Sequence, residues 1–525
     1  MQKIIDTLPR KNYIDFKKHG VGVSLQFFGW VWEKEKWVSL TGSATILTIK
    51  MGKQQYKILI DFWMFQGCQK ELKYNEILPF DISKLDVAFV THTHVDHIWK
   101  LLFLSKDEFN WTIWTTKVSK QLLWPMLKDV IKLQPKNENT NKNKLMRKVN
   151  NLKSLLDKVS WKENQDDLLS VIEEIEKELE CVEDEEKKYF DIHDLNKLIQ
   201  KVNWIDYNQV VEILPWITLK FISAGHLPGS AQAILTINWK NNKKIVLWFS
   251  GDLGKYKNPS LWWRPEIPKE KFDLYMIEST YAGRFHNDFE KEKNDLVKVL
   301  NETISKNGKI IIPVFVQGRA QELMVLLSEL IKNWDIPKIP IYVHSETIEQ
   351  ITSIVKRNFW LKISKNLFKR AISGSWKNKR NLFDKYKNSA ILICSGGMMD
   401  WWTIRNYLDY LQNSNALFIS MGYQWEWTLG GQIFVDKVKE ILVPELGKVK
   451  INAKIYSFRG FSGHADQADI IKFVKQLKFK KDSKLVINHW EKTPEQYLLG
   501  CEIKQILDAT SSVLFAAFNE SFYEK

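Results

Sequence analysis

The chain opens on a polar, weakly patterned stretch, residues 1–20, expected to be an extension that packs on an edge of the fold. From Val21 the pattern changes. Runs rich in β-branched and aromatic residues, Val23 to Phe28, Ala44 to Ile49 and Tyr56 to Asp61, alternate with turn signals and predict hairpin strands. The apolar run Leu85 to Val90 predicts a buried strand. Roughly 117–205 reads as helical. Leu145, Val149, Leu152, Leu155 and Val159 recur every three or four residues, as do Leu168, Ile172, Ile175 and Leu179, with a charged, solvated face between them. This region is expected to elaborate the first domain without chemistry of its own. Strand patterns return at Ile217 to Ser223, Ala233 to Ile237 and Lys244 to Phe249.

From Phe272 strands and helices alternate. Leu274 to Glu278, Lys309 to Val314, Ile339 to Val343, Ala390 to Cys394 and Ala416 to Ser420 read as strands, with helices at Asp288 to Lys306 and Ala320 to Lys332. Such alternation predicts a parallel sheet covered by helices, a second domain of α/β class. Strands then reappear at Lys454 to Phe458 and Leu485 to Ile487, followed by a last helix. The expected divisions are an extension at 1–20, a first domain at 21–272, a second at 273–430, and a return to the first at 431–525.

A length of 525 residues agrees with more than one core. Hydrophobic residues at 44% and charged residues at 26% describe an ordinary globular chain. The net charge of +15 biases the expected partners toward polyanions such as nucleic acid. No signal-type run and no stretch of membrane-spanning length is present, so a cytoplasmic protein without a membrane partner is expected. Cys68, Cys181, Cys394 and Cys501 are scattered singly, which argues against a disulfide framework or a cysteine zinc site.

The concentrated chemistry is Thr91-His92-Thr93-His94-Val95-Asp96-His97, just after the Leu85 to Val90 strand. Three imidazoles and a carboxylate in six residues need polar partners if buried, and a metal supplies one. In an extended segment His92 and His94 point the same way and can share one cation, while Asp96 and His97 are offset toward a second. His226, in the loop Ala224-Gly225-His226-Leu227-Pro228-Gly229-Ser230-Ala231, and Asp252, in Ser250-Gly251-Asp252-Leu253-Gly254, come after later strands and can converge on the same place. Asp61, ending its strand, either caps a turn or accepts from a ligand imidazole.

With Glu278-Ser279-Thr280-Tyr281, Ser462-Gly463-His464-Ala465-Asp466 and Asn488-His489 added, the sequence resembles bacterial metallo-β-lactamase-fold ribonucleases of the β-CASP family, the group that includes the RNA-cleaving subunit of the eukaryotic cleavage and polyadenylation machinery. The resemblance runs from about Val21 onward. It implies a metallo-β-lactamase αββα sandwich, with an inserted β-CASP α/β domain at 273–430. It also implies two zinc ions: His92, His94 and His226 on one, Asp96, His97 and His489 on the other, Asp252 bridging, and Asp61 behind the ligands. The implied chemistry is hydrolysis of RNA phosphodiesters, endonucleolytic or from the 5′ end, in RNA processing or decay. Asp96, Asp252, Glu278 and His464 are then catalytic, with His464, held by Glu278, giving the leaving ribose oxygen its proton. Single-stranded RNA is the expected partner, and homodimerisation is left open. Ser395, Gly396 and Gly397 form a turn whose N–H groups can cradle an RNA phosphate, or a plain turn. Ser230 is a further candidate for phosphate contact, and Arg319 either contacts phosphate or pairs with Glu322 along its helix.

Two rival readings are a metallo-β-lactamase-fold hydrolase of another substrate, DNA or a thioester, and a non-catalytic RNA-binding subunit. The inserted βα domain with Glu278 and His464, and the filled ligand positions, favour the ribonuclease. The sequence also departs from the family. Val343-His344-Ser345-Glu346 stands where relatives commonly carry Asp-Ser-Pro. Trp63, Trp99, Trp402, Trp427 and Trp490 stand where relatives usually have Gly, and Trp and Gly are equally frequent, 23 of each. The same exchange fits Trp111, Trp216 and Trp239. Bulky indoles at turns that want positive φ would be strained. Many of these tryptophans are therefore expected to be UGA codons that the organism's ribosomes read as glycine.

Overall fold

The computed structural model describes residues 13–28, 30–33, 36–39, 43–62, 78, 80–106, 109, 111–133, 149, 169, 172, 190–240, 243–256, 264–364, 367–370, 382–400, 403–422, 424, 428–443, 446–458, 460–488, 494–507 and 511–515. His489, Trp63, Trp402, Trp427, Trp490 and most of the helical pattern between Leu145 and Leu179 lie outside them. Val149 and Ile172 are described, both helical and buried.

Two seven-stranded sheets pack face to face. The first runs, in spatial order, Tyr13–Lys18, Val21–Phe27, Thr45–Met51, Gln54–Ile60, Val87–Phe89, Ile113–Thr116 and Val202–Ile205. Its first half is antiparallel and its last four strands run parallel. Part of the expected extension thus joins the sheet as its edge strand. Val202–Ile205 is a strand as well, although it falls within the expected helical region. The second sheet runs Val210–Leu214, Ile217–Ser223, Ala231–Trp239, Lys243–Phe249, Lys271–Glu278, Lys478–Asn488 and Ser512–Phe515.

Alternation explains the packing. Along Val21–Phe27 every second residue, Val21, Val23, Leu25 and Phe27, is buried, because side chains of a strand alternate faces. These meet Leu219, Phe221, Leu235, Leu247 and Phe249 of the other sheet. Phe89 sits between the sheets, edge-on to Phe221 at 6.2 Å and to Phe249 at 6.0 Å. Helices Lys117–Leu133 and Ile192–Gln200 cover the outer face of the first sheet. Gln467–Val474 and Pro494–Ile506 cover the second, where Trp248 stacks on Phe473 at 5.8 Å. The result is an αββα sandwich.

Between Glu278 and the last strands lies a six-stranded parallel sheet, ordered Phe368–Arg370, Ile341–His344, Ala390–Ser395, Lys309–Val314, Ala416–Met421 and Lys454–Phe458. Its four inner strands are almost wholly buried, as expected of a sheet covered on both faces, while the two edge strands carry polar residues. Lys454–Phe458 belongs to this sheet rather than to the first domain, so the chain returns to the sandwich after Phe458, later than the 431 boundary expected from sequence. Ile351, Ile354 and Val355, from helix Glu346–Asn358 of the inserted unit, enter the core beneath helix Lys117–Leu133. Buried His344 ends a strand with Nδ1 2.6 Å from the Tyr407 hydroxyl. No helix of the described residues is long and apolar enough to cross a membrane.

The tryptophans divide. Trp216, following Pro215 in the turn between two strands, has φ 71°, the left-handed conformation that favours glycine. Trp334, which the sequence did not single out, has φ 65°. Trp99, by contrast, has ordinary helical backbone at φ −51° and packs on the first core. Trp111 and Trp239 are also without positive φ. The strain expected at these three is absent.

Candidate metal centre

Parallel pairing decides where the polar side chains collect. Gln54–Ile60 and Val87–Phe89 run side by side, so Asp61 and the Thr91–His97 segment leave the sheet together. Asp61, at φ 55°, accepts from the Thr91 N–H at 2.7 Å and from the Thr91 hydroxyl at 2.8 Å. Its Oδ2 lies 2.8 Å from His97 Nδ1. Of the two uses open to Asp61, the geometry is that of an acceptor behind an imidazole, which fixes the ring's orientation and the tautomer.

With Nδ1 engaged, His97 turns Nε2 toward Asp252 Oδ1 at 3.4 Å. Asp252 Oδ2 lies 3.4 Å from His92 Nε2 and 3.8 Å from His226 Nε2. Asp252 thus stands between two imidazole groups. His94 Nδ1 faces His226 Nε2 at 3.3 Å, and one ligand atom from each of His92, His94, His226 and Asp252 falls within 4.8 Å of all the others. Burial drives His94 down to about 3 and His226 well below the usual 6.5. Neutral imidazoles converging beside a shared carboxylate are a donor set suited to a metal ion. At His97 burial also disfavours the cation, yet Asp252, Asp61 and Asp96 outweigh it and raise the group to about 10. The carboxylates make a field in which positive charge belongs, and these residues fit a metal. Asp96 is half-buried in the same segment.

Loop backbones hold the cluster in register. A bridge pairs Gly225 with Leu253 and another pairs Gly254 with His464. A Cβ on Gly254 would overlap the Gly225 carbonyl, so only glycine allows the His226, Asp252 and His464 loops to approach this closely. His464 Nδ1 lies 3.4 Å from Glu278 Oε2 and 3.9 Å from Asp252 Oδ2. Burial alone would favour its neutral form, but Glu278, and after it Asp252 and Asp96, hold its pKa above 6.5. Glu278 is itself fixed by accepting the N–H groups of Leu253 and Thr280. Its strand pairs with Lys478–Asn488 so that Glu278 stands opposite Asn488; the next residue is His489.

The remaining candidates are placed differently. Ser230 is buried, and its Oγ accepts the N–H groups of His226 at 3.1 Å and Leu227 at 3.0 Å; its hydroxyl shapes the His226 loop. Arg319 is 9% exposed and donates to both Glu322 and the Phe461 carbonyl. Ser395, Gly396 and Gly397 end a parallel strand, with Ser395 Oγ 3.0 Å from Thr403 Oγ1 and Gly396 at φ 108°. Sequence reasoning missed four residues that hold the loops of the centre, three at the His464 loop and one at Thr93. His286 Nε2 donates to the His464 carbonyl at 2.8 Å, Lys255 donates to the Gly460 carbonyl, Glu292 accepts the Gly460 N–H at 2.6 Å, and Gln317 accepts from Thr93. Only Lys255, three residues past Asp252, had a position that could have drawn notice.

Residues 320–433 match the Beta-Casp domain, and residues 448–493 match the Zn-dependent metallo-hydrolase RNA specificity domain. The chain is 26% identical to the transcription termination factor FttA of Methanocaldococcus jannaschii over 83% of its own length and 63% of that protein. To the probable RNase MJ4 of the same organism it is 25% identical, over 89% of this chain and 95% of the other. To cleavage and polyadenylation specificity factor subunit 3-I of Arabidopsis thaliana it is 25% identical, over 77% and 51%. The chain therefore spans under two thirds of FttA and about half of the plant protein. Sheet order, strand-end histidines and matched domains agree: this chain has a metallo-β-lactamase fold with an inserted β-CASP domain.

Proposed function

We propose that the protein is a zinc-dependent ribonuclease that hydrolyses RNA phosphodiester bonds. The observation that carries this is His464, paired with Glu278 and set 3.9 Å from Asp252, a proton donor beside a metal-ligand set. The names of the relatives and the matched RNA specificity domain favour RNA over other substrates.

His92, His94 and His226 would hold one zinc, Asp96, His97 and His489 a second, with Asp252 between them. Bound zinc supplies Lewis acidity there, lowering the pKa of a water and neutralising the oxygens of an in-line displacement. Asp61 keeps His97 turned to the centre. Glu278 holds a proton on His464 Nδ1, leaving the other ring nitrogen to protonate the departing ribose oxygen. Ser395, Gly396 and Gly397 offer backbone N–H groups to a phosphate of a single strand.

The test is incubation with labelled RNA, DNA and a thioester, with Asp96→Ala and His464→Ala beside the wild type. RNA cleavage lost in both variants is the expected result. Thioester hydrolysis with inert RNA, or purified protein that takes up no zinc, overturns the reading. Product mapping on 5′-labelled RNA with free, phosphorylated and capped ends then separates endonuclease from 5′-exonuclease action.

A further inference from the structure

One turn of the inserted domain touches three loops of the centre. Gln317, Gly318 and Arg319 lead into helix Arg319–Lys332. Gln317 is 1% exposed, and its Oε1 accepts the Thr93 hydroxyl at 2.8 Å, between His92 and His94. Gly318, at φ 81°, lies so close to Leu227 that a Cβ would overlap Leu227 Cδ2, one residue from His226. Arg319 donates to the Phe461 carbonyl and lies against Gly463, next to His464. The turn is itself pinned, since the Gly318 N–H donates to Gln321 Oε1 at 2.8 Å and Glu322 pairs with Arg319.

We propose that Gln317-Gly318-Arg319 is a positioning element, through which docking of the inserted domain sets the geometry of the loops carrying His92, His94, His226 and His464. None of the three need touch the substrate. The Arg319 guanidinium is buried and already shared between a carboxylate and a carbonyl, which suits it to holding a loop better than to meeting a mobile phosphate. Lys255 and Glu292 hold Gly460 by its carbonyl and N–H, so Arg319 completes a clamp on Gly460 and Phe461 with anchors in both domains. A displacement of about 1 Å in a reacting group is enough to cost roughly 10²-fold in rate.

The test is amide hydrogen exchange on the full chain, read over 91–97, 225–231 and 460–466, for the wild type, Gln317→Met, Arg319→Met and Arg319→Lys. Local opening is what such exchange reports. Arg319→Met should speed exchange about tenfold in 460–466, and Gln317→Met in 91–97, with Ile217–Ser223 and Lys309–Val314 unchanged. Because the assignment of a reaction rests on the ribonuclease reading, kinetics form a separate arm: kcat on RNA should fall roughly 10- to 100-fold with KM within about twofold, and Arg319→Lys should recover part of it. Unaltered exchange in these loops overturns the proposal. So does a raised KM at constant kcat, which would mark a substrate contact, or loss of protection throughout the fold in both Gln317→Met and Arg319→Lys. If the wild type leaves RNA intact, the ribonuclease reading fails while the exchange result still decides this one.

Discussion

Two arms reach the centre by different routes. The His97 arm is local: Asp61, Thr91 and His97 come from neighbouring strand ends of one sheet and bond one another within 36 residues of chain. The His464 arm is held from afar, by Glu278 and Lys255 on the sandwich side and by His286, Glu292 and Arg319 on the side of the insertion. A local arm survives small shifts between domains, because its partners move together. A bridging arm does not, so the Asp61–His97 pair depends least on domain docking and the proposed proton donor most.

The two arms can be separated by mutation. The largest effect is expected from His464→Ala, which should lower kcat by about 10²–10⁴-fold, the range of a lost general acid, while zinc content stays at the wild-type level. Zinc analysis alongside RNA cleavage checks it, and joint loss of both would mean the arms are not independent. Asp61→Ala should act the other way round. Zinc affinity should fall about 10- to 100-fold, measured against a competing chelator, and activity should return at excess metal.

The same contrast governs what could be read in the sequence. His92, His94, Asp96 and His97 were legible because six residues at the end of an apolar strand hold an unlikely concentration of ligand chemistry. His226 and Asp252 emerged from strand ends and Glu278 and His464 from the family resemblance, and the structure brings His226, Asp252 and Glu278 around His464. Gln317, Lys255, His286 and Glu292 were not legible. Each is a common residue whose meaning comes from a partner far along the chain, and no spacing within a window reveals that. For the fold, strands were located closely both where the pattern alternates, as at Ile217–Ser223, and where an apolar run is buried on both faces, as at Lys309–Val314. Lys454–Phe458 was found but given to the wrong sheet, because hydrophobic pattern reports burial and not which neighbour supplies it.

Lys255 gives a pH test of the bridging arm. Burial, reinforced by Arg319, lowers its pKa to about 8 from 10.5. Between those values the unfolded chain binds the proton more tightly than the folded one, so this residue makes stability rise with pH across the window; below about 8 both forms are protonated and its contribution is flat. Compared with Lys255→Met, the wild-type urea midpoint should therefore climb from pH 8 to 10, corresponding to at most about 1.4 kcal/mol per pH unit. Parallel pH profiles would place Lys255 in solvent and remove it from the clamp on Gly460.

The smallest expected effect concerns the helix that carries Arg319. Its C-terminal end is closed by the Trp334 N–H to the Ile331 carbonyl at 3.3 Å and the Asp335 N–H to the Leu330 carbonyl at 2.9 Å. This is the bonding of a Schellman cap, whose left-handed position glycine usually fills. Trp334 occupies that position at φ 65° and is 88% exposed, so its indole gains almost nothing to offset the backbone cost of about 1–2 kcal/mol. Trp334→Gly should therefore raise stability by about 1 kcal/mol, and Trp216→Gly, at φ 71°, should do likewise. Trp99→Gly should do the opposite, because Trp99 has helical backbone and packs on the core, where glycine costs about 1 kcal/mol before packing is counted. Thermal unfolding of the three variants reads the sign. UGA codons at 216 and 334, with glycine in the mass spectrum of the native protein, would mean that the first two substitutions restore the residue the organism makes. UGG codons there would mean that the chain carries the strain itself, at the far end of the helix whose first turn sets the His464 loop.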